Sequence, residues 1–353
     1  MTRSAEQLDQ ARRQWLAGLA ARHAAEDSAD SALALARGEW MCGDYEDAIG
    51  HFIQARDRAR QSAEAHLALV RAASMTGQRD LESAALGEAL ALHAGDPDLA
   101  LHAALDRVPE DLQAARALLA PHRERALCAE FDQAIAAIES GHPPQPVQDA
   151  DPRQQARADS LRWVMAQRRT PDAHVGLPAR VLERALALAP ADGITLECGV
   201  YFGRSLRLIA RATTGPVHGF DSFQGLPEAW SAQEGAGAYS TAGRMPWAGG
   251  NVQLHAGWFE DTLPGFFARE TGPVRLLHVD CDLYSSTRTV LQAADAGLVP
   301  GSVIVFDDLL AYPGYEDHEL KAFLEFADKR HLDWEVIGAC LLGREVAIRI
   351  TAR

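Results

Sequence analysis

Residues Leu196–Ser205 read LECGVYFGRS: an apolar run that stops at Glu197, a turn carrying Gly199 and Gly203, and a helix that opens near Arg204. Glycines at these places let backbone approach a ligand at the carboxyl edge of a sheet. A dinucleotide fingerprint opens Gly-x-Gly so that a pyrophosphate can rest on the helix N-terminus. A carboxylate two residues ahead of Gly199 would repel it. Glu197 therefore argues against a nicotinamide oxidoreductase. It suits a cationic sulfonium cofactor without phosphate, whose amino-acid end it would hold.

Outward from this turn the chain alternates. Short apolar runs stand at ITLECGV, VHGFD, VQLHAG, RLLHVD, SVIVFDD, WEVIGA and EVAIRI. Helical patterns over Gly203–Ala212, Phe259–Arg269, Ser286–Ala296 and Glu316–Lys329 separate most of them. That grammar predicts a mostly parallel sheet covered on both faces. Only Cys340 to Arg344 separate the last two runs, too few for a crossover helix, so these two strands form an antiparallel hairpin. The expectation is a Rossmann-like α/β domain over 156–353, with seven strands ending in that hairpin and with helix between Ala156 and Ala189.

Residues 1–140 are Ala- and Leu-rich with no convincing strand, which is helical composition. A shift of about 34 residues, the period of tetratricopeptide repeats, places Gly43 on Gly77, Leu33 on Leu67, Leu35 on Leu69, Phe52 on Leu86 and Ala55 on Ala89. A further step takes Leu67 to Leu101 before the match decays. A tetratricopeptide-like helical domain is expected over 1–140, with an irregular Ala-rich bundle as the competing reading. The proline-rich stretch at 141–155 reads as a linker.

The acidic residues carry the chemistry. Asp221 ends the second apolar run, where a carboxylate accepts hydrogen bonds from both hydroxyls of a ribose. Trp258 and Phe259 follow the third run, beside Gly257, and their rings can sandwich an adenine; singly, Asp221 reads equally well as a helix cap and Trp258 as core. The fourth run ends with Asp280 and Asp282, the fifth with Asp307 and Asp308. Residues at i and i+2 share a side of a strand, so Asp280 and Asp282 face one cleft if the strand persists. Carboxylates gathered there repel one another unless a cation or proton intervenes, and hard oxygen ligands suit magnesium or calcium. The bland alternative is that one or two of them cap the helices that follow. Asp280 or Asp282 is the expected proton acceptor, with His278, His255 and His318 as rivals; a histidine inside a buried strand is more often a core residue.

The run ECGVYFGRS resembles the cofactor loop of catechol-type O-methyltransferases. The stretch from about Thr195 to Ile350, through GFDSFQGLPE, GWFEDTLP, HVDCDLYSST, VIVFDDLLAYPGYEDHELKAF and VAIRI, resembles the macrocin O-methyltransferase family of antibiotic-sugar methylating enzymes. The resemblance implies a class I S-adenosylmethionine-dependent methyltransferase that transfers methyl to a hydroxyl. It also implies Mg2+ or another divalent cation, held by Asp280, Asp307 and Asp308. The candidate cofactor-binding residues are Glu197, Gly199, Val200, Tyr201, Gly203, Ser205, Asp221, Ser222, Trp258, Phe259 and Asp280. A small hydroxylated, sugar-like acceptor follows from the family. The helical half lies outside the resemblance and leaves two alternatives: it presents a peptidic or carrier-bound acceptor, or the chain is a non-catalytic scaffold. The glycine-rich stretch Ser231–Gly250 and the segment Leu310–Glu319, with Tyr312 and Tyr315, read as lid or acceptor-recognition loops.

Composition narrows the field further. Hydrophobic residues at 47% and charged ones at 24% are a globular balance. A formal charge of −15 argues against nucleic acid as partner. No apolar run reaches membrane-spanning length and the N-terminus lacks a signal's apolar core, so no membrane partner and a cytoplasmic location are expected. The five cysteines form no CxxC pair and read as packed thiols. A homodimer fits exposed repeats and the habit of the family.

Overall fold

The computed structural model describes residues 5–108, 110–144, 151–167 and 173–353. The chain divides into two compact units. One comprises Met1–Ala100, Tyr201–Leu208 and Phe223–Gly249; the other comprises Leu101–Val200, Ile209–Ser222 and Gly250–Arg353.

The first unit is built from helices α1 (Ala5–Glu26), α2 (Ala29–Met41), α3 (Tyr45–Arg58), α4 (Ala63–Met75) and α5 (Arg79–Leu92). The sequence period is visible in the backbone: α2 and α4 start at Ala29 and Ala63, and α3 and α5 at Tyr45 and Arg79. Ser28 caps α2 by accepting from Ser31 N, and Ser62 caps α4 by accepting from Ala65 N. These hydroxyls satisfy amides that the first turn leaves unpaired. At the turns Gly43 and Gly77 both take positive φ, +80° and +68°. There Asp44 N donates to Glu39 O and Gln78 N to Ala73 O. Leu35 and Leu69, Phe52 and Leu86, and Ala55 and Ala89 are all buried.

Helix α6 (Pro97–Arg107) leads into the second unit, which continues with α7 (Leu112–Leu119), α8 (Ala126–Ser140), α9 (Pro152–Gln167) and α10 (Pro178–Leu188). Composition places residues 101–140 with the N-terminal helices, whereas packing groups them with the sheet. Leu119, Phe131 and Ile135 share one apolar cluster with Leu161 and Leu341. Of the stretch read as linker, 145–150 lie outside the described residues, and α9 already starts at Pro152.

The sheet runs β1 (His174–Val175), β2 (Ile194–Cys198), β3 (Val217–Asp221), β4 (Val252–Ala256), β5 (Val274–Val279), β6 (Val303–Phe306), β7 (Asp333–Cys340) and β8 (Val346–Ala352). Between the strands lie α11 (Arg204–Arg211), α12 (Phe259–Phe267), α13 (Tyr284–Ala294) and α14 (Glu319–Arg330). The spatial order is β1-β7-β8-β6-β5-β2-β3-β4. All pairings are parallel except those of β8, which runs antiparallel to β6 and β7. The terminal hairpin is therefore as expected. The strand number is not: among the described residues the sheet has eight strands rather than seven. The extra one, β1, has two residues, pairs with β7 through His174↔Ala339 and Val175↔Cys340, and interrupts what reads as continuous helix. Two residues carry no alternation from which a strand could be read. The central strand β5 is buried at every position, as a strand covered on both faces must be. Among the described residues no helix is long and apolar enough to cross a membrane, and all five cysteines are buried without disulfides.

Candidate functional site

Four strand ends of the second unit, β2, β3, β5 and β6, are tied together just past their last paired residues. Gly199 N donates to Phe220 O, Asp280 N to Cys198 O, and Asp307 N to Val279 O, at 2.8–2.9 Å. Val200 N donates to Asp221 Oδ2 at 2.8 Å, and Gly257 N to Asp221 O at 2.9 Å. Asp221 thus orders the turn after β2 as well as ending β3. Gly199 has a different reason from the one read in the sequence. Its φ is +94°, and a Cβ there would lie 1.6 Å from the carbonyl oxygen of Asp280. It is the neighbouring strand end that requires a glycine.

Glu197 is fully buried and pairs through Oε1 with His278 Nδ1 at 2.8 Å. Its Oε2 is buried and has no hydrogen-bond partner among the described residues. On the other side of the imidazole, Nε2 lies 3.7 Å from Asp307 Oδ1. Burial opposes a charge on His278, but the neighbouring carboxylates of Asp307 and of the hydrogen-bonded Glu197 outweigh it and raise it to about 9. Buried between the carboxylates of Glu197 and Asp307, His278 bridges the ends of β2, β5 and β6. His255 pairs with His218 at 3.2 Å and stacks on Phe220. His318 heads α14 beside Tyr312.

The structure brings Asp280, Asp282 and Asp308 together: each offers a carboxylate oxygen within 4.8 Å of the others. Asp307, expected as a ligand, lies outside this trio and faces His278. Asp280 and Asp282 converge, but not through the pleat of a strand. β5 ends at Val279, and Asp282 turns back in a left-handed conformation, φ 60°. A non-glycine residue held there costs on the order of 1 kcal/mol or more and is common at functional sites. Burial, then the charges of Asp307, Asp282, Asp308 and Glu197, push the Asp280 carboxyl well above its ordinary range. Burial and Asp307 raise Asp308 to about 6, against the pull of Arg344 and a hydrogen bond from Asp282. Carboxylates in this state favour a proton or a cation among them.

Two residues at the trio escaped the sequence. Glu319, fully buried at the start of α14, accepts from Cys281 N at 3.4 Å and Asp308 N at 3.3 Å, and so ties both acidic strand ends to one side chain. Arg344, in the β7–β8 turn, donates to Asp308 Oδ1 at 2.6 Å. No local pattern marks either residue; each is far from its partners in sequence. Tyr312 and Tyr315, read as loop residues, are buried, and Ala311 N beside them donates to Ser160 Oγ of α9 at 2.8 Å. Of the remaining cofactor candidates, Ser222, Trp258 and Phe259 are half-buried in the second unit, with Trp258 O capping α12 through Asp261 N and Thr262 N.

Tyr201, Gly203 and Ser205 belong to the first unit. There Tyr201 meets Tyr239 edge-on, ring centroids 6.0 Å apart, and a Cβ on Gly203 would lie 3.2 Å from Pro246. The long connection 223–249 belongs to that unit as well. Arg244 pairs with Asp44 at the α2–α3 turn at 2.8 Å, Arg12 of α1 donates to Ser240 O at 3.1 Å, and Phe202 packs on Gly43. The loop after β3 is thus held by the helical repeats, while its Tyr239, Met245 and Trp247 stay exposed.

The strand ends that carry the acidic trio lie in a segment, residues 196–309, that matches the family model described as a methyltransferase domain. Among curated proteins, the chain is 31% identical over 150 residues to the 8-demethyl-8-(2,3-dimethoxy-alpha-L-rhamnosyl)-tetracenomycin-C 4'-O-methyltransferase of Streptomyces olivaceus. That alignment covers 33% of this chain and 54% of the relative. The chain therefore spans about half the length of the curated relative it matches. Among solved structures it is similar to the O-methyltransferase NovP, at 23% identity over 49% of this chain and 77% of that one, with a TM-score of 0.37. It is also similar to the calicheamicin methyltransferase CalS11, at 18% identity over 64% and 93%, with a TM-score of 0.38.

Proposed function

We propose that the protein is an S-adenosylmethionine-dependent O-methyltransferase acting, with a divalent cation, on a hydroxyl of a sugar-like or other polyhydroxylated small molecule. The observation that carries this reading is the trio Asp280, Asp282 and Asp308 at the ends of β5 and β6, inside the segment that matches a methyltransferase domain.

The residues fit both implied groups. The orphaned Oε2 of Glu197 is an acceptor without a donor, and the cationic amino-acid end of S-adenosylmethionine supplies one. Asp221 carries the acceptor oxygens that ribose hydroxyls need. Three carboxylates are a hard oxygen set suited to Mg2+, with Asp280, Asp282 and Asp308 as the residues that would hold it. S-adenosylmethionine supplies the electrophilic methyl, and a bound cation lowers the pKa of a hydroxyl it touches. The protein's own part is positioning and proton transfer. Asp280, whose basicity burial and the neighbouring carboxylates raise, or Asp282 beside it takes the hydroxyl proton. Holding acceptor and donor in line removes an entropic barrier worth roughly 7–11 kcal/mol at best.

The 34-residue repeat of α2–α3 in α4–α5 supports a tetratricopeptide-like reading of the first unit. The anchoring of loop 223–249 through Asp44 and Arg12 favours a role in holding an acceptor loop over that of a free docking platform for a peptide or carrier. A homodimer remains part of the proposal.

The test is transfer of radiolabel from S-adenosylmethionine to a panel of sugars and glycosides, in Mg2+ and in EDTA. Label in hydroxyl-bearing products that vanishes in EDTA supports the whole reading. Undiminished transfer in EDTA removes the cation from it, and labelling of an amine or thiol instead removes the acceptor class.

A further inference from the structure

Arg344 is fixed at three points. Its Nη1 donates to Asp308 Oδ1 at 2.6 Å. Its carbonyl oxygen accepts from Leu309 N at 3.2 Å and Leu310 N at 3.3 Å, binding the β7–β8 turn to the chain that follows Asp307 and Asp308. Its guanidinium lies 5.1 Å from the centre of the buried Tyr312 ring. A cation is therefore already built against one member of the acidic trio.

We infer that Arg344 is an internal counter-cation that competes with a divalent ion for Asp308, so that the trio binds its metal weakly and exchangeably. This rests on the cation-assisted reading above. A guanidinium and a dication repel one another at a few ångströms, and Asp308 spends its charge on one or the other. With the ion absent, Arg344 on Asp308 limits the repulsion within the trio. With the ion present, Tyr312 offers the guanidinium a ring face on which to stay. Occupancy then follows the free divalent cation concentration instead of being permanent.

The experiment is calorimetric titration of the full chain, freed of metal, with Mn2+ alone, for wild type, Arg344→Gln, Arg344→Lys and Asp308→Asn. Circular dichroism checks the fold of each. The expected result is that Arg344→Gln tightens Mn2+ binding by about tenfold, as loss of a nearby like charge should. Arg344→Lys stays near wild type and Asp308→Asn weakens binding. Unchanged or weaker binding by Arg344→Gln overturns the inference and leaves the cation reading standing. Absence of Mn2+ binding in both wild type and Arg344→Gln overturns the two together. Should the Gln variant misfold, Arg344→Lys decides: the retained charge must keep the wild-type affinity, and a clear tightening there contradicts the argument.

Discussion

Replacing His278 with leucine removes the one cation between Glu197 and Asp307, with little change in the volume of a strand position that is 1% exposed. Glu197 is fully buried and loses the only partner that the described residues give its Oε1. Breaking a buried pair by removing one member costs about 3–5 kcal/mol, so a loss of that size is expected at pH 7. A pH signature separates this from simple repacking. The folded-state value of about 9 lies above the unfolded value of 6.5. The stabilisation is therefore fully present below about pH 6.5 and is lost as pH rises through 9. At about 1.4 kcal/mol per unit the drop is on the order of 3 kcal/mol. Urea unfolding in EDTA at several pH values between 6 and 9.5 reads it directly. Wild type should lose stability across that window, and His278→Leu should be nearly flat. Parallel curves for the two proteins would refute a charged His278.

Three further outcomes follow from named contacts. Gly199→Ala places a methyl on the carbonyl of Asp280 at a positive φ, and should cost more than about 4 kcal/mol or prevent folding, measured by thermal unfolding. Glu319→Ala leaves the amides of Cys281 and Asp308 without their buried acceptor; a loss of about 2–4 kcal/mol in urea unfolding, with weaker Mn2+ binding, is expected, and wild-type affinity would show that Glu319 does not order the trio. Asp44→Asn frees Arg244 at a partly exposed pair, so stability should change by less than about 1 kcal/mol while trypsin cleaves after Arg244 faster than in wild type; an unchanged cleavage rate would mean the repeat turn does not hold the loop.

What the sequence made legible follows from periodicity. Strands β2 to β8 each span four or more residues and helical stretches separate most of them, so their existence and the closing hairpin could be read from spacing alone. β1 could not, because two residues have no period. The 34-residue period was legible because Gly43 and Gly77 need the same left-handed turn and Phe52 and Leu86, like Ala55 and Ala89, the same buried place. The acidic site was legible as composition but not as geometry. Asp282 reaches Asp308 through a left-handed residue, and the trio formed excludes Asp307, which His278 engages. Gly199 was read as letting backbone approach a ligand, yet the atom that demands a glycine there belongs to Asp280 at the end of another strand. Glu319 and Arg344 act across 38 and 36 residues, and nothing in their own neighbourhood announces it.

The central claim, that the strand ends around Glu197 and Asp221 receive S-adenosylmethionine, is tested most directly by calorimetric binding of its product, S-adenosylhomocysteine. One site per chain with micromolar affinity is expected in EDTA, lost in Asp221→Ala while circular dichroism stays that of the wild type. Absence of binding in wild type, with or without divalent cations, would contradict it.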